Sequence, residues 1–305
     1  MNKLKKLGKG LEDISYLFLS ADEENNTIEA SAIKEEKEEQ IVPQISTKSI
    51  CLIGNHCDYR DAFLIVNLSL ALARLGLRIA VVDIDENLSC LNFFLGTKPQ
   101  ENQLGNCSTL VKEGPLGIKL IGLNPAITEQ LSQSGKKTKL SVELDELEEN
   151  VDLILLSIMP KDIETAMPLI NKQIGEVLVL VSPEKQAMLN AYKIIKLIFL
   201  HNPLAKIGAI ITEIDHMYEI DGVYDKMSDV VKKYLDKELY KYGFLFKLKQ
   251  DIGSKANIAS FYDADLRACI SNIAQIIILR LNLEKIDEKH KTQSKRMLTN
   301  FMNLR

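Results

Sequence analysis

The sequence has no excess of positive charge, no apolar run long enough to cross a bilayer and no C-x-x-C pair of cysteines. Its formal net charge is -4 at pH 7. Because proteins that bind nucleic acid without sequence preference are usually basic, we expect no DNA partner. The first residues also lack the pattern of a signal peptide. We therefore expect a cytoplasmic protein, and peripheral attachment to the inner face of the cell membrane is left open.

The five cysteines form no C-x-x-C pair; they are Cys51, Cys57, Cys90, Cys107 and Cys269. In a cytosolic chain such isolated thiols are expected to be reduced and structural. An iron–sulfur carrier would need a paired cysteine motif, so that class is excluded. His56, Cys57 and Asp58 are neighbours in one loop, and three adjacent residues rarely all face one ion. We expect no metal site.

Residues 49–96 set the organisation of the fold. A short apolar run, Ser49–Ile53, ends at Gly54 in a polar loop, a helix-period stretch follows, and Ile79–Val82 is a second buried run before Asp83. Strand–loop–helix–strand is the unit of a parallel sheet. We predict an α/β fold, a mostly parallel twisted sheet with helices on both faces. The predicted strands include 49–53, 79–83, 151–156, 176–181 and 207–212.

Four further segments are assigned by pattern. Thr109–Lys112 is predicted as a short helix and Ile118–Leu123 as a strand. Residues 217–243 are predicted to hold a long helix and then a glycine turn at Gly243 that leads into another strand. Phe244–Lys247 would then be the last strand.

This order of motifs resembles the MinD/ParA/FlhG family of deviant Walker-A P-loop ATPases, and FlhG-like and MinD-like proteins most closely. That family has a K-G-G-x-G-K-[ST] loop, a helix, a strand ending in D-x-D and an N-L…L-G segment. Asp83 and Asp85 take the places of the two aspartates. The resemblance covers about residues 48–283. It implies a P-loop NTPase-like domain there, with ATP and magnesium as the family's ligands.

The loop departs from the family pattern at the positions that carry the chemistry. Aligned without a gap, the phosphate-binding lysine falls on Asp61 and the magnesium-binding hydroxyl on Ala62. A carboxylate at the lysine position would repel a triphosphate. The Walker-B-type acid falls on Ser157, which brings no charge to hold magnesium. The asparagine that contacts adenine in the family falls on Thr212.

The candidate site is therefore a vestigial nucleotide loop, with no residue assigned to catalysis or to a metal. We expect ATP and magnesium binding to have been lost. The resulting hypothesis is a pseudo-ATPase, a regulatory or scaffold protein in spatial organisation at a cell pole, flagellum or division site. The alternative is an active ATPase of the MinD/FlhG type with an atypical P-loop, which would keep ATP as its ligand. The residues of the candidate site are Asn55, His56, Asp58, Arg60, Asp61, Ala62, Asp83, Asp85, Ser157 and Thr212.

An amphipathic segment and a linker precede this domain. Residues 1–20 place large apolar side chains at helical spacing, and residues 21–47 read as an acidic flexible linker. A tethered amphipathic segment can dock its apolar face on a partner. We expect protein partners through this segment and through the domain surface, with a homodimer as a further possibility. The apolar residues of the segment are Leu4, Leu7, Leu11, Ile14 and Leu17.

A second amphipathic segment, residues 284–305, follows the domain. Met297, Leu298, Phe301 and Met302 form a short apolar stripe, and lysines and arginines flank it. Such a helix suits an anionic membrane surface, and MinD and FlhG carry a C-terminal helix with that role. The same stripe also suits docking on protein, so both alternatives stay open.

Overall fold

The computed structural model describes residues 48–54, 59–83, 111–122, 146–160, 163–172, 174–248 and 264–283. The amphipathic segments, the linker, the loop residues 55–58 and Asp85 lie outside these ranges. The predicted division into segments 1–20, 21–47, 48–283 and 284–305 therefore stays a prediction.

Eight strands form one sheet at the centre of the described residues. In chain order they are β1 (Ser49–Ile53), β2 (Ile79–Asp83), β3 (Val111–Glu113), β4 (Lys119–Gly122), β5 (Leu153–Ile158), β6 (Glu176–Val181), β7 (Ile207–Ile214) and β8 (Leu239–Phe246). The spatial order is β3-β4-β2-β5-β1-β6-β7-β8. Every neighbouring pair is parallel except β3 with β4, which is antiparallel.

Within the described residues, five helices cover the two faces of the sheet. They are α1 (Tyr59–Arg74), α2 (Ile163–Lys172), α3 (Lys185–His201), α4 (Tyr218–Leu235) and α5 (Ala264–Arg280). A helical turn at residues 146–150 and a 3₁₀ turn at Pro115–Gly117 complete the regular structure of the described residues. No helix within those ranges has the length and apolar character that a membrane span requires.

The core divides into two layers, one on each side of the sheet. Along β1, Ile50 and Leu52 pack with α1 and α5, whereas Cys51 and Ile53 pack on the side of α2, α3 and α4. Because both faces are covered, the strands are apolar at nearly every position. All six residues of β5 and of β6 are buried. The predicted fold class, a mostly parallel sheet with helices on both faces, is confirmed.

The bounds of β1, β2 and β6 agree with the predicted strands, but the bounds of β5 differ from those predicted. β5 begins two residues later than predicted and includes Ser157 and Ile158. Its start follows a contact with the residue before β2, since Asp152 N–H donates to the Arg78 carbonyl at 2.8 Å just before β5 begins. Ser157 therefore lies within the strand, not at its end.

Two predictions at the margins of the sheet are wrong. Val111–Glu113 is strand β3 and not part of a helix, because it pairs antiparallel with β4. The last strand begins at Leu239 and runs through Gly243, which adopts φ +135°. Lys241 and Gly243 pair with consecutive residues of β7, so Tyr242 is the extra residue of a β-bulge. Gly243 was taken for a turn because glycine marks both structures.

The start of β8 and the end of α5 are joined by a cluster of aromatic and charged side chains. The Arg280 guanidinium lies 4.1 Å from the centre of the Tyr240 ring. Its Nε donates to the Tyr242 hydroxyl at 2.9 Å, and the same side chain forms an ion pair with Glu176 of β6. These contacts fix α5 alongside the outermost strand.

Gly208 of β7 allows the buried Tyr242 ring to lie against the backbone. A Cβ at position 208 would come within 2.3 Å of the Tyr242 Cδ2 atom and 2.8 Å of Leu178 Cδ2. We predict that Gly208→Ala lowers the free energy of unfolding by about 1–3 kcal/mol, as overpacked core substitutions do. Urea unfolding followed by circular dichroism measures this.

Gly222 in α4 is the matched control, because a Cβ there would meet nothing within 4 Å. Gly222→Ala is expected to raise the free energy of unfolding by up to about 1 kcal/mol through helix propensity. Equal stability of the two variants would contradict the packing described for Tyr242.

Candidate functional site

The carboxyl ends of β2, β5, β1, β6 and β7 meet at one edge of the sheet, which we call the crest. In open α/β sheets a ligand binds beyond these strand ends. Four polar side chains lie there on adjacent or nearby strands, and all four are buried: Asp83, Ser157, Ser182 and Thr212. The residue two positions before each of them belongs to the layer under α1 and α5. Since side chains alternate along a strand, the four face that same layer.

The strand register sets the spacing of these groups. Asp83 of β2 is the direct partner of Ser157 of β5, and Ser157 is also the partner of Leu52 of β1. On the other side of β1, Val181 is the partner of Ile211, so Ser182 and Thr212 follow at neighbouring positions. The crest is thus a row of side-chain oxygens, centred on the end of β1.

Asp61 stands over the end of β1. It belongs to the first turn of α1, and it is 2% exposed. A Cβ built on Gly54 would come 2.1 Å from Asp61 Oδ2, so the carboxylate lies directly against the glycine backbone. The first turn of a helix stabilises negative charge, because its N–H groups and the helix dipole point there. A buried carboxylate thus occupies the position between β1 and α1 where such folds bind anions.

Arg60 is tied to the far side of the crest. Its Nη1 lies 3.4 Å from Glu213 Oε2 in β7, and both side chains are partly buried. Glu213 has φ +59°, and the pairing of β7 with β8 is irregular around it. A partly exposed pair of this kind contributes about 1 kcal/mol or less to stability. Its main effect is to orient the guanidinium toward β7.

Two crest hydroxyls have no partner among the residues that the structure describes. The Ser182 Oγ and Thr212 Oγ1 atoms are buried and make no hydrogen bond there. Leaving a buried hydroxyl unsatisfied costs about 1–3 kcal/mol, so such groups call for an explanation in function or strain. Both oxygens can donate or accept, and neither carries charge.

The structure brings together six of the ten residues predicted for the site. Arg60, Asp61, Asp83, Ser157 and Thr212 lie at the crest, and Ala62 is buried in the layer beneath α1. The other predicted positions fall outside the described residues: Asn55, His56, Asp58, Asp85, and the apolar residues of both amphipathic segments. Within the described ranges no three His, Cys, Asp or Glu side chains are grouped so as to hold a metal ion.

Two crest residues were missed from the sequence: Ser182 and Glu213. Ser182 directly follows a buried strand, and that position could have marked it. Glu213 had no such signal, because its role depends on Arg60, more than 150 residues earlier in the chain. Among the described crest residues, Asp61 and Asp83 are buried acids, and the Arg60 guanidinium is paired with Glu213.

The strand order, the helices on both faces and the crest define a P-loop NTPase-like fold of the MinD/ParA type. The structure is similar to the MinC:MinD cell division protein complex of Aquifex aeolicus. The TM-score is 0.58 at 17% identity, over 82% of this chain and 100% of that chain.

Two further solved structures are similar to this chain. The MinD cell division protein of Aquifex aeolicus gives a TM-score of 0.54 at 18% identity, over 79% of this chain and 99% of that one. The cell division ATPase MinD of Pyrococcus furiosus gives 0.53 at 17% identity, over 76% and 99%. At these identities the likeness establishes the fold. No protein-family model matches the chain, and no curated protein matches it significantly.

The contact between Asp61 and Gly54 can be measured with a double-mutant cycle. Gly54→Ala is predicted to destabilise the protein by about 1–3 kcal/mol, because the new methyl group collides with the carboxylate. In an Asp61→Ala background the nearest remaining atom, Cβ, would be 3.1 Å away. The same substitution should therefore cost less there, with a coupling energy of about 0.5–3 kcal/mol from urea unfolding. Additive effects would show that Asp61 does not lie on Gly54.

Proposed function

We propose that this chain is a regulatory, partner-binding protein built on a MinD/ParA-type fold, and that its nucleotide site no longer supports phosphoryl transfer. The proposal rests chiefly on Asp61. Its buried carboxylate lies against Gly54, at the head of α1. The sequence resemblance assigns this position to the lysine that binds phosphate.

Charge is the first reason that this site disfavours ATP. Two unit charges 4 Å apart interact by about 1 kcal/mol in water and by about 4 kcal/mol at the effective dielectric constant near a protein surface. With a carboxylate in place of a lysine, that interaction with a phosphate changes from attraction to repulsion. The transition state of phosphoryl transfer also loses a cation that would steady its developing charge.

The neighbouring residues do not compensate. The resemblance assigns positions 62 and 157 to magnesium binding. Ala62 has no hydroxyl group to bind the ion, and Ser157, inside β5, has a neutral hydroxyl in place of an acid. Arg60 is held by Glu213. A single loss could be offset by a neighbour, but these losses all act on the same ligand. The crest hydroxyls of Ser182 and Thr212 are neutral hydrogen-bonding groups and cannot balance a triphosphate.

Spatial organisation is the process that this fold supports best. The three solved structures reported above as similar to the chain are all described as cell division proteins, and one of these is a complex with MinC. We propose that this chain likewise acts by binding a protein partner, at a cell pole, flagellum or division site. Residues 1–20 and the domain surface are the proposed contacts, and a homodimer is compatible with this role.

The second candidate function is an ATPase with an atypical loop. Asp83 favours it, because an acid remains at the end of β2 where the resemblance places one of the two aspartates. Two aspartates without the lysine and the magnesium ligands are insufficient for phosphoryl transfer. The two candidates differ in one measurable property, the binding and turnover of ATP.

Isothermal titration with ATP and magnesium, run beside a phosphate-release assay, separates the two. We predict no binding at micromolar concentrations and no phosphate release above the rate without protein. Circular dichroism on the same sample checks that the domain is folded. Micromolar binding with turnover that disappears in an Asp85→Ala variant would establish the ATPase and overturn the pseudo-ATPase proposal.

The tail, residues 284–305, is proposed to bind either an anionic membrane surface or protein through the stripe Met297, Leu298, Phe301 and Met302. Replacing Phe301 by Glu puts a charge into that stripe, so it should weaken insertion into lipid. If the tail binds membranes, the intact chain pellets with anionic vesicles and Phe301→Glu pellets several-fold less. Equal pelleting of the two chains would eliminate the membrane role and leave protein docking.

A further inference from the structure

We propose that a groove along the outer edge of the sheet is the docking site for this chain's own residues 1–20. The groove has a volume of about 420 Å³ and lies where α4 and α5 flank β8. β8 is the last strand of the sheet, with a neighbour on one side only among the described residues. This proposal concerns a surface away from the crest, so it does not depend on whether the crest binds ATP.

The groove is lined mainly by apolar side chains from three elements. Met217 directly precedes α4 and Ile220 lies in its first turn, Phe244 comes from β8, and Cys269 and Ile276 come from α5. Met217 at its entrance is 64% exposed, and the adjacent Tyr218 is 78% exposed. Large exposed apolar side chains beside a concave apolar surface are typical of an interaction site. An amphipathic helix laid into a groove is a common way to cover such a surface.

Acidic side chains lie on α4 beside the groove and beyond it, and we call them the acidic rim. Asp221 lines the groove, and Asp225 and Asp229 follow it along α4 at intervals of four residues, all three of them exposed. Residues at this spacing lie on one side of a helix. Lys241 neutralises part of this charge, because it forms an ion pair with Asp221. The groove therefore favours an occupant that is apolar on one side and positively charged beside it.

Residues 1–20 have this chemistry. Leu4, Leu7 and Leu11 recur on one face of a helix, and the lysines among them are Lys3, Lys5, Lys6 and Lys9. In a helix, Leu4 to Leu11 spans about 10 Å. The stretch of α5 from Cys269 to Ile276 is equally long. Gly8 and Gly10 lower the helix propensity of the free segment, so we expect the helix to form on docking.

The linker is long enough for docking within one chain. Residues 21–47 connect the segment to Lys48 at the start of β1. A flexible linker of this length has a root-mean-square span of about 30 Å. β8 is three strands away from β1, which is about 14 Å, and the length of β8 adds about 26 Å at most. Tethering keeps the segment at an effective concentration near millimolar, so even a weak site would be occupied.

Occupation by the segment would make the groove a regulated surface. A partner that offers a tighter apolar helix would displace residues 1–20, and a partner that captures residues 1–20 would expose Met217 and Tyr218. Each event frees one binding surface as it covers another. The fraction of chains with an open groove depends on how much more tightly the partner binds the chain with residues 1–20 released than the chain with them docked.

Hydrogen–deuterium exchange with mass spectrometry, on the full chain, tests this proposal. The variant is Leu7→Glu with Leu11→Glu, which places two charges on the docking face. We expect exchange in residues 217–221, 239–246 and 264–276 to become at least about threefold faster, because a covering helix worth about 0.7 kcal/mol has been lost. The matched control is Asn2→Glu with Ser20→Glu, which adds the same charge away from the apolar face and should exchange like the wild type.

Other results would overturn the proposal. Unchanged exchange in the Leu7→Glu, Leu11→Glu variant would show that residues 1–20 do not cover the groove. Faster exchange in Phe301→Glu alone would identify the tail as the occupant. Protection that is lost on tenfold dilution of the wild type would show that the segment comes from a second copy of the chain.

A charge exchange gives an independent result. Asp225→Lys with Asp229→Lys reverses the acidic rim, and we expect it to speed exchange in the same three ranges. Adding Lys5→Glu and Lys6→Glu to that variant should restore slow exchange, because the opposite charges then face each other again. Failure of this restoration, with both variants folded, would contradict electrostatic recognition of the segment by α4.

Discussion

Burial of both faces of a parallel sheet is the constraint on which the rest of this structure depends. Parallel strands have no solvated face, so helices must cover each side, and the connection between two parallel strands must return from the carboxyl end of one to the amino end of the next. The consequence is that the strand ends after β1, β2, β5, β6 and β7 all open at one crest. The polar groups at the crest are placed there by the burial of Ile50, Leu52 and the residues that pack with them.

The side chain that lies over the end of β1 determines which ligands the crest can bind. An anion-binding fold needs free N–H groups and a cation at that place. In this chain the Asp61 carboxylate lies there, held against Gly54 and favoured by the first turn of α1. In our proposal, the carboxylate that stabilises the start of the helix also repels a phosphate group at the same place. That balance is why we place the function in partner binding.

Much of the fold follows from local sequence. The bounds of β1, β2 and β6 were predictable because their apolar runs end at glycine or polar residues. β3 was mistaken for part of a helix because three residues carry no period, and only the pairing with β4 defines them. Gly243 was assigned to a turn, whereas the bulge around it depends on Tyr242 fitting over Gly208 of β7.

The site was predictable to the extent that it lies along single motifs. Asp61, Asp83 and Ser157 were found because the resemblance assigns them positions in the loop and the strands. The contact of Arg60 with Glu213 depends on strand order and could not be read from either segment alone. Likewise, the buried hydroxyls of Ser182 and Thr212 lie side by side because β6 and β7 are adjacent, and that pairing could not be predicted from either strand alone.

The central claim is that the crest of this MinD/ParA-type fold does not accept a magnesium–triphosphate. The most direct measurement is the melting temperature of the full chain with millimolar ATP and magnesium, compared with magnesium alone. Any ligand that binds the folded state raises its stability by mass action. The account predicts the same melting temperature in both solutions, and a rise of several degrees with ATP would contradict it.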